Sequence, residues 1–238
     1  MNEQVKLFLY VIFLMFYSLV FWLIFLVVLI LIAFASVIFM PVFMNRRASY
    51  RFFTRFFSRA FLCLMFQSPK VRGGENIPKT GGLILVSNHW SVLDFFLLNA
   101  VSPRFLNMFV ESFFFISPLN GLPDGAGLLE ENDKTPAVAA LSIRKAISAV
   151  MKGEAVVFFP AGIIFDKVAA ISPMKPGVYR VLEETDPAVI PVNIRQGIPM
   201  GFTVIPRRPE IIFGRPLRKR DVLSGRDEIL KSSINSLS

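Results

Sequence analysis

The chain contains a single histidine, His89, and Asp94 follows five residues later, in the run Val86-Ser87-Asn88-His89-Trp90-Ser91-Val92-Leu93-Asp94. Histidine is the side chain whose ordinary pKa lets it take or give a proton near neutrality. A carboxylate beside it can hold its tautomer and stabilise its charged form. On one regular helix five steps turn about 140° away, so the two side chains meet only if His89 lies in a strand-to-helix turn and Asp94 in the first helical turn. A dyad so placed can activate a substrate hydroxyl directly as a general base, with no serine or cysteine nucleophile. The bland alternative is a core histidine beside a helix-capping aspartate. The spacing by itself does not separate the two.

The elements around the pair favour the first arrangement. A turn-rich boundary, Ser68-Pro69, Gly73-Gly74, Pro78 and Gly81-Gly82, precedes it. Beyond that boundary, short apolar runs alternate with helical stretches. Leu83–Ser87 reads as a buried strand, Leu93–Val101 as a helix and Arg104–Val110 as a second strand. Residues 118–135 read as loop. Pro136–Met151 reads as an amphipathic helix with proline in its first turn, and Ala155–Phe159 as a strand followed by loop to Pro173. A short helix over Pro176–Glu184 and strands at Ala188–Ile194, Phe202–Ile205 and Ile211–Phe213 complete the pattern. It predicts an α/β fold, a mostly parallel sheet flanked by helices. His89 would then leave the first central strand, and Asp94 would open the helix that follows.

Ahead of this domain the composition is different. From Leu7 to Phe43 the chain runs 37 residues without a charge. As a helix this is roughly 55 Å long, against a hydrocarbon core of ~30 Å, so one upright span cannot use it all. A tilted span, a break near Pro41 and two helices partly in one leaflet are all open. Ala33-Phe34-Ala35 imitates a cleavage site, but the apolar region before it far exceeds the ~7–15 residues of a signal peptide. The run therefore predicts an N-terminal hydrophobic, membrane-anchoring helical segment. Lys6 and Glu3 flank it on one side and Arg46, Arg47, Arg51, Arg55 and Arg59 on the other, which predicts a catalytic domain on the cytoplasmic side. Within Tyr50–Gln67, Arg51, Arg55 and Arg59 share a helical edge and phenylalanines fill much of the rest, as a helix at headgroup level requires. Residues 1–67 thus read as anchor plus basic-aromatic interfacial helix, and residues 68–238 as the catalytic domain.

Composition removes several classes. The chain has 238 residues, 54% hydrophobic with 26 Phe, which excludes a disordered chain. One cysteine and one histidine exclude a disulfide scaffold and a structural zinc site. Cys63 reads as a small buried apolar residue. No Walker-type or dinucleotide glycine pattern is present, so neither nucleotide hydrolysis nor a dinucleotide cofactor is expected, and a lone histidine predicts no metal. The net charge of +9 is carried mostly by the first 67 residues, at +5, and points to membrane headgroups rather than nucleic acid.

The block Asn88-His89 with Asp94, following an apolar strand, resembles the first motif of the glycerolipid acyltransferases, which include the 1-acylglycerol-3-phosphate acyltransferases. Three later blocks resemble the same family in the same order: Phe158-Phe159-Pro160-Ala161-Gly162, Lys175-Pro176-Gly177-Val178 and Val189-Ile190-Pro191-Val192. The resemblance covers roughly residues 70–220. It implies transfer of a fatty acyl chain from acyl-CoA or acyl carrier protein, as co-substrate, to the hydroxyl of a lysophospholipid. No cofactor is implied. His89 would be the base and Asp94 its partner, while Asn88, Phe159, Pro160, Ala161, Gly162, Lys175 and Gly177 would line the substrate.

Two blocks depart from the family pattern. Where the third continues Glu-Gly-Thr-Arg in the family, this chain has Ala161-Gly162-Ile163-Ile164. Where the second delivers an arginine, Gly127-Leu128-Leu129 runs into Glu130-Glu131-Asn132. Neither glutamate nor isoleucine imitates the planar fork with which arginine holds phosphate. Three accounts stay open: a non-phosphatidate acceptor such as lyso-ornithine lipid, replacement by Arg144, Lys145, Lys167 or Lys175, or a catalytically inactive lipid-binding protein. A further basic cluster at Arg215, Arg218, Lys219 and Arg220 suits an acidic carrier protein or headgroups, or a plain solvated loop.

Overall fold

The computed structural model describes residues 3–39, 46–65, 67–111, 128–131, 135–160, 174–197 and 208–237. Two long helices come first, α1 (Glu3–Phe39) and α2 (Arg46–Leu64). Among the described residues seven strands follow: β1 (Lys70–Arg72), β2 (Leu83–Ser87), β3 (Leu106–Glu111), β4 (Leu128–Glu131), β5 (Ala155–Phe158), β6 (Ala188–Arg195) and β7 (Glu210–Phe213). Between and after them lie α3 (Asp94–Val101), α4 (Pro136–Met151), α5 (Gly177–Glu184) and α6 (Lys219–Asn235). The strands form one sheet in the order β1-β7-β6-β2-β5-β3-β4. Every ladder is parallel except β6–β7. The expected mostly parallel α/β sheet is therefore what forms, with one antiparallel neighbour making it mixed.

Strand β2, Leu-Ile-Leu-Val-Ser, is buried throughout because helices cover both faces of the sheet, as a continuous apolar run demands. Its side chains alternate between two cores. Leu83 and Leu85 join Leu97, Phe61 and Phe21 on the side of α1, α2 and α3. Ile84 and Val86 join Ala146, Val178 and Leu230 on the side of α4, α5 and α6. Truncating a fully buried leucine such as Leu85 to alanine costs about 2–5 kcal/mol.

The apolar N-terminal segment is a single unbroken helix from Glu3 to Phe39, and its Glu3–Val28 portion is long and apolar enough to cross a membrane, with a mean hydropathy of 2.8 and little of its surface buried. Pro41 lies outside the described residues. Tyr17, Phe21 and Phe25 fix α1 to the domain. The Tyr17 hydroxyl donates to the Met65 carbonyl at 3.0 Å, and Phe25 meets both Phe61 and Phe96 edge-on. Helix α2 turns Thr54, Ser58, Phe61 and Leu62 inward and leaves Phe52 and Phe56 exposed. Arg59 donates to the Ala100 carbonyl at 3.0 Å, satisfying a C-terminal carbonyl of α3. The arginine edge is thus partly spent on the domain. Cys63 is exposed, not buried as expected, because it lies on the outward face with Phe52 and Phe56.

The pattern in the sequence missed β1, β4 and α6. The two edge strands are short and charged, Lys-Val-Arg and Leu-Leu-Glu-Glu, which marks them as guarded edges and removes the apolar alternation that signals a strand. Residues 128–131 are therefore strand where loop was expected. The basic cluster is no free loop either: Arg218 stands at the N-cap position of α6, Lys219 and Arg220 open the helix, and the Lys219 Nζ donates to the Thr185 carbonyl at 2.8 Å. The expected strand Phe202–Ile205 lies outside the described residues.

Candidate active site

His89 leaves the carboxyl end of β2, and Asp94 is the first residue of α3. The turn between them brings His89 Nδ1 to 2.7 Å from Asp94 Oδ2, with Asp94 fully buried and the imidazole 18% exposed. The same Oδ2 accepts the Trp90 amide at 2.7 Å and the Ser91 amide at 3.3 Å. Three donors on one carboxylate oxygen lock the turn. Against an ionised carboxylate, which only accepts, Nδ1 would be the donor, leaving Nε2 as the ring nitrogen not engaged by Asp94. Asp94 Oδ1 is buried with no hydrogen-bond partner.

Asn88 supports this turn from the side. Its amide donates to the Ile194 carbonyl at 2.9 Å and accepts the Ile194 N–H at 2.7 Å. The side chain thereby continues the β2–β6 ladder beyond its last backbone pair, Ser87 with Val192. Trp90 Nε1 donates to the same carbonyl at 2.7 Å. Gly197 lies against the Trp90 ring, where an added Cβ would fall 2.3 Å from its Cγ. The histidine is thus held from both flanks.

Phe159 stacks on the His89 ring with centroids 4.2 Å apart. Pro160 is buried, and its carbonyl accepts the Lys175 N–H at 2.7 Å, joining the Phe158–Gly162 block to the Lys175–Val178 block. Gly177 opens α5, where a Cβ would lie 2.9 Å from Ile143 Cδ1. Ala161, Gly162 and Lys167 lie outside the described residues, while Arg144 and Lys145 are exposed on α4. Glu130 and Glu131 end strand β4, three strands across from β2 and so roughly 14 Å away at the usual strand spacing.

Sequence reasoning missed the pair Tyr179 and Asp227. Asp227 accepts the Tyr179 hydroxyl at 2.6 Å and the Met174 N–H at 3.1 Å, next to a kink in α6 at Arg226. Burial first, then the hydrogen bond to Asp227 and its charge, push Tyr179 well above the ordinary phenol range. Burial works to raise Asp227, but Tyr179, the Met174 amide and the charges of Lys231 and Arg226 outweigh it and hold it low. Some fifty residues separate the partners, so no local signal could have joined them.

A buried carboxylate thus holds a half-buried histidine at the carboxyl end of a central parallel strand of an α/β domain, at the edge where such sheets bind ligands. The chain belongs to the Acyltransferase family, whose model matches residues 68–195, more than half of its length. It is also similar in structure to the 1-acyl-sn-glycerophosphate (LPA) acyltransferase PlsC of Thermotoga maritima, with a TM-score of 0.73, 20% identity, and coverage of 95% of this chain and 98% of that one. That identity speaks for a shared fold. No curated protein matches the chain.

Proposed function

We propose that the protein transfers a fatty acyl chain from a thioester, acyl-CoA or acyl carrier protein, to the hydroxyl of a membrane lysolipid. The observation that carries this reading is the 2.7 Å contact of His89 Nδ1 with buried Asp94, which leaves Nε2 to work on substrate. Nε2 takes the hydroxyl proton as the oxygen attacks the thioester carbonyl carbon, and Asp94 stabilises the imidazolium formed. Collapse of the tetrahedral intermediate breaks the C–S bond, and the leaving thiolate recovers that proton. The Trp90 and Ser91 amides are already bound to Asp94, so donors to the oxyanion come from elsewhere in the crevice. Helix α1 would seat the domain at a membrane, with residues 68–238 as its cytoplasmic catalytic part.

Lysophosphatidate is the first acceptor to test, given the substrate named for the Thermotoga protein. A second reading keeps the chemistry and changes the acceptor to a non-phosphatidate lysolipid such as lyso-ornithine lipid. It is favoured by Ile164, and by Glu130 and Glu131, at the places where the family pattern supplies arginine. The test is acyl transfer by the detergent-solubilised protein, offered labelled acyl-CoA or acyl carrier protein and a panel of lysolipids, with His89→Ala as control. Transfer that survives in the variant would sink the dyad. Silence across the panel from folded protein would leave a lipid-binding protein instead.

A further inference from the structure

At the amino ends of the strands, away from His89, a cavity of about 590 Å³ opens between α2, the loop before β2, the α3–β3 turn and the α4–β5 turn. Four cations line it, Arg55, Lys79, Arg104 and Lys152, with one carboxylate, Glu154. That carboxylate is engaged by the Asn107 amide at 3.2 Å. The Arg104 guanidinium donates to the carbonyls of Pro78, Gly81 and Gly153, so it knits together the loops that form the wall. Arg55 reaches in from α2, and its Nε is buried with no hydrogen-bond partner. Burial, and after it the neighbouring charge of Arg59, lower the pKa of Arg55. A partly desolvated guanidinium facing further cations is costly, and an anion with several acceptor oxygens relieves both the repulsion and the orphaned donor. Guanidinium forks fit phosphate in particular.

We propose that this cavity is a second, non-catalytic site that binds the phosphate group of an anionic membrane phospholipid. Phosphate is the shared chemistry, and the lipid source is favoured by what surrounds it. Phe52 and Phe56 flank Arg55 on α2 and stand 65% and 56% exposed, and the other side of α2 packs on the apolar helix α1. A headgroup at that level would lie beside aromatic rings that suit the membrane interface. The five residues of β2 hold the cavity roughly 17 Å from the dyad, so the site is separate from the acyl-transfer reaction.

The test uses the full chain in detergent, with calorimetry of dihexanoyl phosphatidylglycerol, dihexanoylglycerol and inorganic phosphate. Saturable binding of the phosphatidylglycerol, but not of the phosphate-free glyceride, is expected. Arg55→Gln should weaken it about tenfold or more and Lys152→Gln severalfold, while Arg55→Lys retains part of it. Lys70→Gln, on the edge strand, and His89→Ala should bind as the parent does. Lys152 is exposed in a turn, so its variant reports even if Arg55→Gln melts early. Absence of saturable binding, or binding unchanged in both Arg55→Gln and Lys152→Gln, overturns the proposal. Inorganic phosphate binding as tightly as the lipid would overturn the headgroup as occupant.

Discussion

Replacing Asp94 by asparagine changes one atom and tests the dyad more sharply than removing His89. Oδ2 accepts three N–H groups, from His89, Trp90 and Ser91, while Oδ1 has no hydrogen-bond partner. The amide can keep those bonds only by placing its oxygen at the Oδ2 position and its NH2 at the Oδ1 position. There a buried donor goes unpaired at a cost of about 1–3 kcal/mol. In this orientation His89 keeps its working tautomer but loses the negative charge that stabilises the imidazolium. At a charge separation near 4 Å and an effective dielectric of 20, that loss is about 4 kcal/mol, or roughly 10³ in kcat. The flipped amide instead sets NH2 against two backbone N–H groups and imposes the wrong imidazole tautomer, and in a serine-protease triad the same exchange costs roughly 10⁴. Single-turnover acyl transfer from labelled acyl-CoA, run beside a thermal melt, should show kcat down at least 10³-fold in protein that still unfolds cooperatively. Asp94→Asn within tenfold of the parent rate would refute the mechanism.

Other perturbations follow from the same contacts. Asn88→Ala leaves the Ile194 N–H without its acceptor and should lower stability by about 1–3 kcal/mol in a urea melt; an unchanged midpoint would count against the amide as a ladder rung. Gly197→Ala must displace the Trp90 ring, so transfer should fall more than stability does, as paired rate and melting measurements would show. Tyr179→Phe should flatten the pH dependence of stability on both sides. Asp227 is held low, so its contribution is present above the ordinary carboxylate pKa and lost as pH falls through the folded value. Tyr179 is raised, so its contribution is present below about pH 10 and lost as pH rises toward the folded value. Denaturation midpoints across pH that keep both slopes in the variant would refute this.

The central fold was legible because apolar runs carry their own period. Leu83–Ser87 and Pro136–Met151 occur where the pattern puts them, one because both sheet faces are covered and the other because proline opens its first turn. The dyad was legible for a related reason: its partners are close in sequence and the strand-to-helix turn between them is short. Its supports were not. Ile194 holds both Asn88 and Trp90 from more than a hundred residues away, and Asp227 on α6 reaches back to the Met174 amide ahead of α5. Strands as short and charged as β1 and β4 exist through their neighbours rather than through their own residues.

The packing of α1 on the domain has a consequence for how far the dyad can reach. Phe25 on α1 touches Phe61 and Phe96, and Phe96 lies two residues beyond Asp94 on α3. These aromatic rings therefore connect the apolar helix to α3, the helix whose first residue is Asp94. On the proposed function, the depth and tilt adopted by α1 would therefore set the height of His89 above the membrane surface. On that function the domain would work as a stylus of set length: a hydroxyl would have to be presented at that height, and substitutions at Phe25 or Phe61 would retune it without touching the reacting atoms.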